Sequence, residues 1–191
     1  MNGMLYGRLM IFASCAFAFG MCGSSFGQSS HVPEYDRDRF GGWIDNDDDC
    51  RNTRHELLAE LSTLPVTYSE DGCRVEHGRW YDPYTGIIFV EASDLDIDHL
   101  VPLNWAWQHG AWRWSEDRRI DFANDPINLF AVDDGTNRAK GADGPLSWLP
   151  PNENFQCQYI LRFWRVVLLY RLEIEPDERV ALTELREELC Q

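Results

Sequence analysis

The 191-residue chain carries 32 acidic residues against 17 basic ones, a formal net charge of −15, and 13% of its residues are aromatic. That balance excludes a broad basic face of the kind that grips nucleic acid by its phosphates. The length and aromatic content suit one real core and leave no room for a second sizeable domain.

Arg8 precedes an apolar, acid-free run over 9–21 that is too short to span a bilayer, so residues 1–27 read as a signal peptide. Cleavage is expected after Gly27, where Ser25 and Gly27 give a small-x-small pattern, and residues 28–191 then form one domain. Four cysteines remain after the leader, Cys50, Cys73, Cys157 and Cys190, in a chain bound for the periplasm or the outside. Two disulfides are expected there. Without the leader the charge is 16 basic against 32 acidic residues. Between Asp98 and Trp148 it is 5 against 8, which leaves room for a local basic rim around Lys140, the chain's single lysine.

Residues 28–36 read as a loose linker and 40–50 as a turn-rich loop. Asp49 or Asn52 caps a helix over 53–61 with Leu57, Leu58 and Leu61 on its inner face. Strands over 75–80 and 86–91 flank a turn-forming stretch, which predicts a β-hairpin with Tyr84 and Thr85 at its tip. Polar and apolar residues alternate over 94–100, the period of a strand with one buried face, and this sets Asp94, Asp96 and Asp98 on one side. His99 falls on the other side unless the strand is ending, and Pro102 ends it. Helices over 103–112 and 115–123 precede a strand over 129–132, after which Thr136 caps a short helix that begins at Asn137 and stops near Gly141.

The last third reads as two helices, 155–172 and one beginning at Pro176, packed as an antiparallel hairpin. Folding the chain back near Ile174 brings Cys190 within a helical turn of Cys157, given the 1.5 Å rise per residue. Cys157 with Cys190 is the favoured bridge, which leaves Cys50 with Cys73.

Asp98 and His99 pair a carboxylate that suits a metal with a proton acceptor that is neutral near pH 7. Hydrolysis of a phosphodiester needs a deprotonated water, neutralisation of transition-state charge and help for the departing 3′-oxygen. A hard divalent cation, Mg²⁺ or Mn²⁺, supplies the last two and accepts one carboxylate and one amide oxygen with retained waters. Asp98 and Asn137 fit as its ligands, and Arg119, Arg138 and Lys140 are the candidate contacts to nucleic-acid phosphates. Arg119, with Arg113 and Arg118, could equally pair with Glu116, Asp117 and Asp121.

Asp98-His99-Leu100-Val101-Pro102, Asn128-Leu129 and Asn137-Arg138-Ala139-Lys140-Gly141 resemble the HNH (His-Me finger, ββα-metal) endonucleases. A wider similarity runs through 35–45, 50–54, 78–86, 110–114, 122–125 and 148–151, which resemble secreted bacterial HNH nucleases related to the C-terminal domain of GmrSD restriction enzymes. The resemblance implies an α+β fold: a ββα-metal core with an added β-hairpin and surrounding helices. It also implies His99 as general base, Asp98 and Asn137 as ligands to one divalent ion, and Asn128 as the asparagine that ties the loop and orients the histidine. The substrate implied is DNA, with RNA a second candidate, and the ends left are 5′-phosphate and 3′-hydroxyl. Asn137 stands where many such enzymes carry histidine, which favours an oxygen-seeking ion over Zn²⁺.

The rival reading is a non-catalytic extracellular calcium-binding or adhesion module, motivated by the acidity and by Asp45, Asp47 and Asp49. Cys50 stands where an EF-hand loop needs glycine, so those aspartates read better as an acidic loop and helix cap.

Overall fold

Asn52 stands in extended backbone and its side-chain oxygen accepts the His55 N–H, which starts α1, Thr53–Leu61. Of the two caps the sequence left open, Asn52 is the one used, while Asp49 pairs with Arg51. This computed structural model describes Met1 and residues 31–191, so the expected signal peptide, Met1 apart, lies outside the described residues. The chain divides into a unit Met1–His31 and a unit Val32–Gln191, and every element named below belongs to the second.

Three antiparallel strands follow, β1 (Thr67–Tyr68), β2 (Val75–Tyr81) and β3 (Ile88–Glu91), paired in that order. The expected hairpin is β2–β3, with Tyr81 opposite Ile88. Its turn is held by Asp82, whose carboxylate accepts the Tyr84 and Thr85 N–H groups and the Thr85 hydroxyl. Tyr84 does sit in that turn, and it is fully buried. β1 is only two residues long and carries no period for a sequence reading to detect.

A 3₁₀ turn, Ala92–Asp94, comes before β4 (Leu95–His99), so Asp94 leaves the strand face on which alternation had set it. Next come α2 (Leu103–Gln108), a 3₁₀ turn over Ala111–Arg113 and α3 (Glu116–Asn124). The single helix expected over 103–112 is broken at Gly110, whose φ of 103° is open to glycine and strained for other residues. β5 (Leu129–Asp133) then pairs antiparallel with β4, Leu95 opposite Asp133 and His99 opposite Leu129.

α4 (Asp134–Lys140) follows β5 with no loop, completing a ββα unit. It starts three residues earlier than expected, because Asp133 and not Thr136 is the cap: its carboxylate accepts both the N–H and the hydroxyl of Thr136. Gly141 ends it at a φ of 56°. The chain closes with α5 (Glu153–Tyr170) and α6 (Pro176–Leu189), clipped together by Cys157–Cys190, while Cys50–Cys73 ties the start of α1 to the start of β2. Both bridges are those the sequence favoured.

Alternation along β4 and β5 divides their surroundings. Leu95, Ile97, Leu129 and Ala131 pack with Leu57 and Leu58 of α1 and with Trp80 of β2, whose indole N–H donates to the Leu58 carbonyl at 2.7 Å. Burying each such side chain contributes roughly 1.5–3 kcal/mol. A larger cluster built on Phe40, Trp107, Phe122, Tyr159 and Phe163 joins α2, α3, α5 and α6. Asp96 and Asp98 are left to face α4. No helix among the described residues is long and apolar enough to cross a membrane.

Candidate active site

His99 closes β4, and its ring is nearly enclosed. Nε2 lies 2.8 Å from the Ala123 carbonyl oxygen, which can only accept, so Nε2 carries the proton. Nδ1 makes no hydrogen bond among the described residues and keeps its lone pair. The ring stacks on Trp43, the planes 6° apart and the centroids 5.3 Å apart. Burial above all, together with the charges of Arg37 and Lys140, pulls its pKa from 6.5 down to about 3, against the opposing effect of the Ala123 hydrogen bond. The imidazole is therefore neutral at pH 7.

Asp98, one residue earlier, is buried with two partners. Lys140 Nζ lies 3.0 Å from Oδ1 and 2.9 Å from Oδ2, and the Tyr84 hydroxyl donates to Oδ2 at 2.7 Å. Burial pushes the carboxyl pKa up, and the Lys140 charge and both sets of hydrogen bonds pull it back. Lys140 also donates to the His99 backbone carbonyl at 2.9 Å. With 0% of its surface exposed, Lys140 is no part of a basic rim, and its ammonium meets Asp98 and the His99 carbonyl in place of the phosphate contact expected of it. The last turn of α4 points the ammonium inward because the one carboxylate it meets there would otherwise be buried alone.

Asn128 is fully buried and clamps the turn after β4: its side-chain oxygen accepts the Val101 N–H at 2.8 Å and its amide donates to the Val101 carbonyl at 3.2 Å. Its side chain makes no hydrogen bond to His99. Asn137, in the middle of α4, donates its side-chain N–H to Asp96 Oδ2 at 3.0 Å, and its oxygen makes no hydrogen bond among the described residues. One cleft of about 340 Å³ brings these side chains together, lined by Asp98, His99 and Asn137 with Tyr35, Arg37 and Asn104.

The other expected phosphate contacts are engaged elsewhere. Arg119 donates to the backbone carbonyls of Arg39 and Trp114, and Arg138 forms an ion pair with Asp134 at 2.7 Å one helical turn back. Neither lines the cleft. Asp45, Asp47 and Asp49 do gather, with one carboxylate oxygen each within 4.8 Å of the others. Asp45, however, accepts the backbone N–H groups of Asp49 and Cys50, and Asp49 is paired with Arg51.

Residues 52–185 match the family described as GmrSD restriction endonucleases, C-terminal domain, which is well over half of the chain. The chain belongs to that family. The name of the GmrSD C-terminal domain implies nuclease-type chemistry. A protein of Arthroderma benhamiae called an uncharacterized secreted protein is 42% identical over 154 residues, covering 79% of this chain and 74% of the relative. No solved structure matches the chain.

The cleft of this GmrSD-family chain offers hard donors, the Asn137 amide oxygen and what Lys140 and Tyr84 leave of the Asp98 carboxylate. Such a pair suits a divalent ion that keeps most of its waters better than one that seeks nitrogen or sulfur. Sequence reasoning missed three participants: Arg37 in the cleft, Trp43 on His99 and Tyr84 on Asp98. All three fall inside stretches of the wider family likeness, which was the available signal, but none lies beside the Asp98 motif in the sequence.

Proposed function

We propose that this chain is a secreted, divalent-metal-dependent HNH endonuclease that hydrolyses phosphodiester bonds in DNA, with RNA as the second substrate to test. The observation that carries this reading is the placement of His99, with its Nε2 proton given to the Ala123 carbonyl and its Nδ1 lone pair free, in a cleft shared with Asp98 and Asn137. Nδ1 is the atom that takes a proton from the attacking water, and the Ala123 carbonyl steadies the imidazolium that results. Asp98 and Asn137 would hold the ion, which when bound neutralises charge on the transferring phosphoryl group and on the departing oxygen. Asn128 sets the loop after β4 and thereby the end of the strand that carries His99. Residues 28–191 are the working domain and 1–27 the signal peptide. Secretion is supported by the name of the Arthroderma benhamiae relative, an uncharacterized secreted protein, and by two disulfides, which persist in oxidising compartments.

The test is plasmid and RNA degradation by purified protein with Mg²⁺ or Mn²⁺. Chelator should stop the reaction, and His99→Ala should lower kcat by at least about a hundredfold with the fold intact, the usual worth of a general base. A folded His99→Ala variant with full activity overturns the mechanism. Calorimetry separates the rival: tight Ca²⁺ binding with no cleavage in either metal would favour the non-catalytic module.

A further inference from the structure

We infer that Arg37 is the cation that binds the substrate's backbone beside the cleaved bond, the strand passing His99 between two hollows that Arg37 joins; this rests on the nuclease reading above. One hollow is the cleft of Asp98, His99 and Asn137. The other, about 260 Å³, is lined by Arg37, Gly41, Gly42, Trp43, His99 and Ala123. His99, Arg37 and Leu103 border both hollows.

A strand of phosphates needs at least one cation near the reacting bond, and the chemistry favours arginine, whose planar fork meets two phosphate oxygens at once. Arg119 and Arg138 are already engaged and Lys140 is sealed from solvent. Arg37 alone of the cleft-lining side chains carries a positive charge, and among the described residues it forms no ion pair.

The segment that carries Arg37 is fastened in place. Phe40 is fully buried, Tyr35 packs edge-on against Trp107, and the Trp107 indole N–H donates to the Pro33 carbonyl at 2.8 Å. Asn124 donates to the Gly42 carbonyl and accepts the Ile44 N–H. Trp43 then gives the second hollow a flat aromatic wall of the type on which a base or sugar rests. Arg37 and Trp43 precede residues 52–185, while His99, Leu103 and Ala123, which complete this hollow, lie within them.

The experiment is steady-state cleavage of a single-stranded oligonucleotide at several salt concentrations by wild type, Arg37→Ala, Arg37→Lys and Arg165→Ala, the last an exposed α5 position bordering neither hollow. Arg37→Ala should raise KM about tenfold with kcat little changed, the loss of one charge-assisted contact. The plot of log(kcat/KM) against log salt should become shallower by about 0.7. Arg37→Lys should keep the wild-type slope and recover part of KM, since the charge stays and the fork does not. Arg165→Ala should match wild type. If wild type cleaves and Arg37→Ala keeps both KM and slope, or loses only kcat, the inference is wrong while the nuclease reading stands. If wild type cleaves nothing, the nuclease reading itself falls. Should Arg37→Ala fail to fold, Arg37→Lys decides: a slope that falls with the charge retained overturns the assignment.

Discussion

A fully buried lysine beside a buried carboxylate is a commitment made by two residues at once. Removing one partner leaves the other charged and unsolvated, at a cost of about 3–5 kcal/mol. Lys140→Met should lower the unfolding free energy in urea by that amount, and adding Asp98→Asn should recover much of it, because the double variant buries no charge. Tyr84→Phe removes one donor from Asp98 and should cost roughly 1–3 kcal/mol. His99 gives a pH signature of definite sign. Its folded pKa of about 3 lies below the ordinary 6.5, so the unfolded chain takes up a proton first as pH falls. The stability it contributes is complete above about pH 6.5 and lost progressively toward pH 3. Stability measured from pH 7 down to 4 should therefore decline more steeply for wild type than for His99→Gln; parallel curves would refute the assigned environment.

At the scale of elements, legibility followed period and local chemistry. β4 was readable because Leu95 and Ile97 alternate with Asp96 and Asp98 and one face is apolar. α6 was readable from Pro176, which can begin a helix but not continue one. The start of α4 was missed because Asp133 and Thr136 are both good caps, and only the tertiary position of β5 decides between them. The burial of Lys140 was missed for a related reason: nothing local says whether a lysine in a last helical turn faces solvent or a carboxylate 42 residues away in sequence. The cap carries a prediction of its own. Asp133→Ala should destabilise the protein by about 0.5–2 kcal/mol. Because α4 also carries Asn137 to Asp96, activity should fall at temperatures where the variant is still fully folded, measured by circular dichroism alongside cleavage. Neither cysteine of the helical clip lines the cleft: Cys157→Ser with Cys190→Ser should cost roughly 3–4 kcal/mol, the entropy of closing a loop of that size, with activity per folded molecule unchanged.

For the molecule as a whole, 32 acidic residues against 17 basic ones set a field that repels a polyanion, while the cleft presents a single arginine to it. A nuclease that grips DNA through six to ten phosphates loses roughly 10³–10⁵ in affinity between 50 and 200 mM salt, because each neutralised phosphate releases counterions. If Arg37 is the one phosphate contact, salt would weaken it but also screen the surrounding carboxylates beyond a Debye length of roughly 8 Å at physiological ionic strength. Only about one phosphate's worth of counterion release remains, so kcat/KM should fall by about threefold or less over that same salt interval. Charge reversal elsewhere should then change the slope without touching the site. Replacing the exposed Glu184, Glu187 and Glu188 of α6 by lysine should raise kcat/KM at low salt, steepen its salt dependence and leave kcat unchanged, as expected when only the long-range field is altered. A steep salt dependence already present in wild type would instead mean that a second cationic surface, beyond the cleft, meets the substrate.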